Sequence, residues 1–136
     1  MADSVGVVRT IYDAFGKGDV QTVLGSLSEK IEWNEAEHFP YWPGSAFIGH
    51  QAVLDGVFAR VGQDFDGFKV DIRRLVGCGD TVLCEARYRG TAKASGKSID
   101  VQVAHVWDVR DGKVVRFQQY ADTWAANQAL GVTPKG

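Results

Sequence analysis

The sequence predicts an α+β domain in which a curved antiparallel sheet wraps around three N-terminal helices. The first observation behind this is a change of period. Up to about residue 61 most apolar residues recur at helical spacing, and after Gly67 they alternate. The second is the order: helices first and a long antiparallel meander second places the helices on one sheet face. The third is length. A chain of 136 residues suits one domain, and at that size roughly two thirds of the unfolded chain's surface is buried on folding. No internal repeat, low-complexity tract or linker divides it, so residues 1–136 are read as a single domain.

Asp3 or Ser4 can cap a first helix whose apolar residues Val8, Ile11, Tyr12 and Phe15 fall at i, i+3, i+4 and i+7. Gly16-Lys17-Gly18-Asp19 breaks it, and Asp19 caps a second short helix carrying Val20, Val23, Leu24 and Leu27. Ile31 to Glu35 alternates as a short strand. Residues 36–49 read as a long aromatic loop with Pro40 and Pro43, of a length that is uncommon unless it covers or lines something. Gln51 to Val61 forms a third helix with the stripe Val53, Leu54, Val57, Phe58 and Val61. Four strands follow: Phe68–Val76, Thr81–Thr91, Ile99–Val109 and Val114–Tyr120. Asp111-Gly112 between the last two is a strong hairpin signal. Asp122 to Leu130 reads as a closing helix. Strands of this length twist and curl, which leaves a cone-shaped interior beneath the helices.

Composition narrows the function classes. The apolar share is 45% and the charged share 24%, as in an ordinary globular protein. Net charge is −2 with both signs interspersed, so no basic stripe exists to neutralise a phosphate backbone and nucleic acid is not an expected partner. No apolar run approaches the roughly 20 residues of a membrane span, and the N-terminus carries no secretory pattern. Cys78 and Cys84 flank a Gly79-Asp80 turn signal. A disulfide across that hairpin is geometrically conceivable, but reduced thiols are the expectation, with the cytoplasm as the default location.

Taken together, Tyr12 to Asp19, Ile31-Glu32-Trp33, Gly49, Arg87 to Thr91, Gly96-Lys97, His105-Val106-Trp107 and Asp111 to Val115 resemble a known family. It is the nuclear-transport-factor-2-like superfamily, in its SnoaL-like polyketide-cyclase and ketosteroid-isomerase branch. The resemblance covers about residues 5 to 130 and implies a cone-shaped cystatin-like roll. The fold hosts isomerases, aldol cyclases, epoxide hydrolases, dehydratases and proteins that only bind, so the resemblance implies a small-molecule pocket and not a particular reaction.

His105 is the most informative residue. Val101, Val103, His105, Trp107 and Val109 share one strand face, and an ionisable group there costs a few kcal/mol unless hydrogen-bonded. It is either a pocket donor or general acid/base, or a core histidine bonded to a backbone carbonyl. By the resemblance, it falls where ketosteroid isomerases carry a protonated Asp. Glu35 lies near their carboxylate base, while Glu35, Glu37, His38 and His50 show no recognisable metal-ligand spacing, so no metal is expected. Asp122 is either a pocket acid or the N-cap of the last helix; the cyclase acid aligns with Gln119. The isomerase tyrosine aligns with Ile11, and a one-residue shift turns a helical side chain by about 100°, so Tyr12 is read as core with its hydroxyl at the pocket edge. Arg87 with Asp122 could imitate part of an epoxide-hydrolase set, or pair on the surface with Glu85 or across strands.

Trp33, Phe39, Trp42, Phe58, Trp107 and Phe117 complete the expected ligand-binding set. Phe39-Pro40-Tyr41-Trp42 either closes the cone over a flat apolar ligand or makes a dimer contact. Two functional expectations follow. One is a cofactor-independent acid/base enzyme acting on a small, largely apolar carbonyl or cyclic substrate, with His105, Glu35 and Asp122 as the catalytic groups. The other is a non-catalytic ligand-binding or dimerisation domain. Ala104 and Val106, opposite His105 on the strand, suggest a homodimer through the outer sheet face.

Overall fold

In the computed structural model, which describes residues 3–132, the Asp3 carboxylate accepts from the Val5 amide at 3.2 Å. It caps α1 (Ser4–Gly16), which buries Val8, Ile11, Tyr12 and Ala14. Asp19 caps α2 (Val20–Gly25) through the Thr22 amide at 3.1 Å. Leu27, expected in this helix, instead opens β1 (Leu27–Asn34). The cause is tertiary: the Ser26 carbonyl accepts from the Val114 amide at 3.0 Å, which draws the chain into the sheet one residue after the helix ends.

The aromatic loop contains a short strand the alternation did not reveal, β2 (Phe47–Ile48), paired with Glu32 and Trp33 of β1. The third helix is continuous from α3 (His50–Val53) through a π-helical turn (Leu54–Phe58) into α4 (Ala59–Asp64). The turn sits where Gly56 packs against Phe47. A Cβ there would lie 2.3 Å from Phe47 Cε1.

The remaining elements are β3 (Phe65–Cys78), β4 (Thr81–Ala92), β5 (Ser98–Arg110), β6 (Lys113–Ala121) and α5 (Thr123–Leu130). The sheet order is β2-β1-β6-β5-β4-β3. Its ladders are antiparallel apart from β1 on β6, which is parallel. Asp111 and Gly112 both have positive φ, at 53° and 76°, as the tight hairpin turn requires. Register shifts interrupt β3 near Asp66–Lys69 and Ile72–Arg74, and β6 at Val115, opposite Asp108–Val109 of β5. Such bulges bend a strand and increase its twist, so the long strands curl around α1 instead of lying flat.

The curl gives the sheet an inside and an outside. On β4, Val82, Cys84, Ala86 and Tyr88 are buried, whereas Leu83 is 47% exposed. Arg87 belongs to the outer face. Its Nε lies 2.7 Å from Asp100 Oδ1 across the strand pair, so the surface reading holds and Arg87 does not reach the interior. Asp122 is likewise exposed and caps α5, accepting from the Ala125 amide at 3.1 Å. Cys78 and Cys84 are both free thiols. In the hairpin register Cys78 faces Thr81 and Cys84 faces Leu75, so the sulfurs are not cross-strand partners. Among the described residues no helix is long and apolar enough to cross a membrane.

Gly56→Ala tests the helix–loop contact. Alanine is favoured over glycine in a helix interior by about 1 kcal/mol, yet the added methyl must displace the Phe47 ring. A net loss of about 1–3 kcal/mol is expected in urea unfolding, with part recovered in the Gly56→Ala/Phe47→Leu double variant.

Candidate functional site

The inward alternation of β5 delivers His105 and Trp107 to the cone interior, and the same alternation delivers Tyr88 from β4 and Phe117 and Gln119 from β6. Helical spacing on α1 supplies Tyr12 from above. These residues meet in a continuous polar chain set in aromatic surroundings. Trp107 Nε1 donates to the Tyr12 hydroxyl at 2.9 Å, which lies 2.6 Å from His105 Nδ1. His105 Nε2 lies 2.6 Å from the Tyr88 hydroxyl. Gln119 Nε2 donates to that hydroxyl at 2.8 Å, and Gln119 Oε1 accepts from the Ala36 amide at 3.1 Å.

His105 is 4% exposed, and burial away from water pushes its pKa down to about 3. The ring is therefore neutral, with one N–H to share between two tyrosines. Whichever tyrosine accepts that N–H keeps its own hydroxyl proton to donate elsewhere. His105 does not act as an ionised acid near neutrality. Its place is between two hydroxyls, and neither of its nitrogens is sealed by a backbone carbonyl. Burial also raises the Tyr12 and Tyr88 hydroxyls well above the usual phenol range, so both are protonated donors.

Glu35 stands at the end of β1 on the same side as Trp33. Trp33 Nε1 donates to its Oε2 at 3.0 Å, while Oε1 is buried without a hydrogen-bond partner. Burial raises the Glu35 pKa to about 7, moderated by the Trp33 bond and then by the positive charge of Arg60. A buried acceptor without a donor costs about 1–3 kcal/mol.

That cavity runs between the polar chain and the third helix. Glu35, His105, Tyr12, Trp33, Phe39 and Phe58 line it, as do Trp107, Phe117 and Gln119. Its free volume is about 60 Å³. Trp33 stacks on Phe117 with ring centres 3.8 Å apart, and Phe58 meets Trp33 edge-on at 5.4 Å, which makes the floor rigid. Of the expected residues, Arg87 and Asp122 lie on the surface as above, and Trp42 lies outside the cavity. Trp42 packs edge-on against His38 at 5.1 Å in the covering loop, whose backbone Asn127 of α5 ties down through the His38 carbonyl at 2.6 Å. Of that cluster, Phe39, Pro40 and Tyr41 line the cavity.

The sequence reading missed Tyr88 in the cavity wall and Arg60 beside it. Tyr88 had a usable signal. Val82, Cys84, Ala86 and Tyr88 are uncharged, whereas Leu83, Glu85, Arg87 and Arg89 alternate with them, and the charged face belongs outside. Among the described residues no group of three or more His, Cys, Asp or Glu side chains converges as a metal site.

A cone of curled sheet and helices with a polar chain in its apolar interior defines a protein of the nuclear-transport-factor-2-like fold. The family model for the SnoaL-like domain matches residues 8–117, and the chain belongs to that family. A nuclear-transport-factor-2-like protein of Burkholderia thailandensis is 34% identical, with TM-score 0.89 over 95% of this chain and 98% of that one. A SnoaL-like polyketide-cyclase-type protein of Jannaschia is 19% identical, with TM-score 0.81 over 96% and 93%. A protein of ketosteroid-isomerase-like fold from Catenulispora acidiphila, in complex with trimethylamine, is 18% identical, with TM-score 0.77 over 93% of each chain. No curated protein matches the chain significantly.

Two titrations follow from the burial. The unfolded chain releases the Glu35 proton near 4.5 and the folded one near 7. Between those values the folded state holds the extra proton, so this group's contribution to stability falls as pH rises through the window. His105 acts in reverse. The unfolded chain takes up its proton below 6.5 and the folded chain only near 3, so stability is lost as pH falls through that interval. Glu35→Gln should therefore be more stable than wild type at pH 8 by about 1–3 kcal/mol in urea unfolding, with the advantage vanishing below pH 4.5. The His105 ring proton signals should stay flat in an NMR titration of folded protein from pH 8 down to about 4.5.

Proposed function

We propose that the cavity binds a small, largely apolar carbonyl or cyclic compound and moves a proton on it, as an isomerase or cyclase of this family type would. The observation that carries this reading is the buried, unpartnered Oε1 of Glu35 in the same cavity wall as a chain of protonated hydroxyls. A carboxylate whose pKa is near 7 is partly ionised at neutral pH and gains little by staying so. It takes a proton from the carbon next to a carbonyl, and the C–H electron pair moves into the enolate. Charge then develops on the carbonyl oxygen. The Tyr88 hydroxyl, held by His105 and Gln119, is the donor proposed to meet it, with Tyr12 closing the chain behind the histidine. Glu35 returns the proton to the same or a neighbouring carbon, so no further reactant is consumed. His105 is here a positioning residue: a neutral imidazole that fixes two tyrosines.

Pairing of two copies through the outer sheet face is part of the proposal. Val76 (44% exposed), Leu83 (47%) and Tyr120 (58%) are exposed there. Leu83 lies opposite Val106, and Ala104 opposite Tyr120. The free thiols fit the cytoplasm as the proposed location.

Deuterium uptake next to the carbonyl of simple cyclic ketones and enones, followed by NMR in heavy water, tests the chemistry. Wild type should accelerate exchange over buffer, with a rate that rises as pH passes about 7, where Glu35 ionises. Glu35→Gln should lose the acceleration by at least about 10²-fold, and Tyr88→Phe by about 10–100-fold. Compounds that bind with no exchange above buffer would leave the chain a ligand-binding domain.

A further inference from the structure

Pro40, Tyr41 and Leu130 line the cavity and also line a neighbouring groove with Arg60, Asp64 and Lys93. Arg60 and Lys93 are the cations of that groove.

Arg60 is placed in an unusual way. Its guanidinium carbon sits 4.2 Å from the centre of the Tyr41 ring. The only hydrogen bond it makes among the described residues is a long one, Nη2 to the Pro40 carbonyl at 3.4 Å. No described carboxylate forms a salt bridge with it. The neighbouring charges are otherwise engaged. Asp64 accepts from the Tyr41 hydroxyl at 2.7 Å. Lys93 donates to the Gly62 carbonyl at 3.1 Å and lies 3.9 Å from Asp66. A guanidinium has five N–H donors in one plane. Stacking on an aromatic ring holds that plane while leaving its edge open, the arrangement suited to two parallel bonds to a carboxylate.

We propose that the ligand is an organic acid: its apolar carbonyl-bearing body lies in the cone, and a carboxylate at its outer end pairs with Arg60 at the mouth. This rests on the pocket reading above and adds the charge and orientation of what enters. A carboxylate held outside points the other end of the molecule inward, toward Glu35 and Tyr88. A ligand with its charge at the inner end would instead set that charge against the Glu35 carboxylate.

Quenching of tryptophan fluorescence reads binding, since Trp33 and Trp107 line the cavity. The probes are 3-oxocyclohexene compounds with a short carboxylic acid tail, each paired with its methyl ester. Wild type should prefer the acid by about 10-fold or more, the range of a charge-assisted hydrogen bond. In Arg60→Gln the preference should fall below about twofold while ester affinity stays within about twofold of wild type. Arg60→Lys should recover part of it, as a point charge without the fork. Ester binding by Arg60→Gln shows that the variant is folded, and the acid-to-ester ratio within each variant cancels effects of Arg60 on Glu35. If the ester binds wild type as tightly as the acid, or Arg60→Gln keeps the preference, the Arg60 assignment is overturned and the pocket reading stands. If neither acid nor ester quenches wild type, both are overturned.

Discussion

A histidine shut away from water must find partners for both of its ring nitrogens, and the interior of this protein is organised around that demand. Phe117 and Trp107 flank the His105 ring, with centres 4.9 and 6.0 Å away, and neither satisfies a nitrogen. The two hydroxyls that do come from different elements, Tyr12 on α1 and Tyr88 on β4. The helix therefore cannot slide across the sheet without breaking a buried bond. Each tyrosine is fixed in turn, by Trp107 on one side and by Gln119 on the other. Gln119 extends the restraint to the covering loop through the Ala36 amide. Apolar contact supplies most of the stability of such a core, but it is non-directional. The polar chain decides which packing is adopted.

Glu35 is the counterpart, a group whose needs the fold meets only halfway. One carboxylate oxygen is held by Trp33, and the other is buried without a hydrogen-bond partner. The folded chain tolerates this by keeping the proton to higher pH. Interiors that satisfy every polar group are stable and inert.

The architecture was readable because its signals are periodic. The α1 stripe, the inward face of β5 and the Asp111-Gly112 turn each follow from spacing alone, and spacing survives without knowledge of what packs on what. His105 was readable for a related reason, as an ionisable group among apolar residues on one strand face, whereas Glu35 was singled out through the family resemblance. Arg87 and Trp42, expected to bind ligand, and Asp122, expected to act as an acid or a helix cap, lie outside the cavity because each belongs to a position whose neighbours are decided in three dimensions. Arg87 finds Asp100 on the next strand, and Asp122 finds the helix it caps. β2 was invisible since two residues offer no period, and Leu27 fitted a helix until β6 claimed it. Arg60 carried no sequence signal: its significance lies in Tyr41, far along the chain and directly beneath it.

The parallel pairing of β1 with β6 bears on how this molecule comes into being. Trp33 lies beside Phe117 in that register, and the Ala36 amide meets a side chain 83 positions later. Contacts this remote carry a large loop-closure cost and form late. On the ribosome, α1, α2 and β1 emerge long before the strand that completes their wall, so the nascent chain holds an open sheet edge and a solvated Glu35 until the sixth strand arrives. The same closure that seals the cone shifts the carboxylate from an ordinary acid to one that titrates near neutrality. Birth of the fold and birth of its distinctive acid are a single event, and a chain truncated before β6 would possess neither.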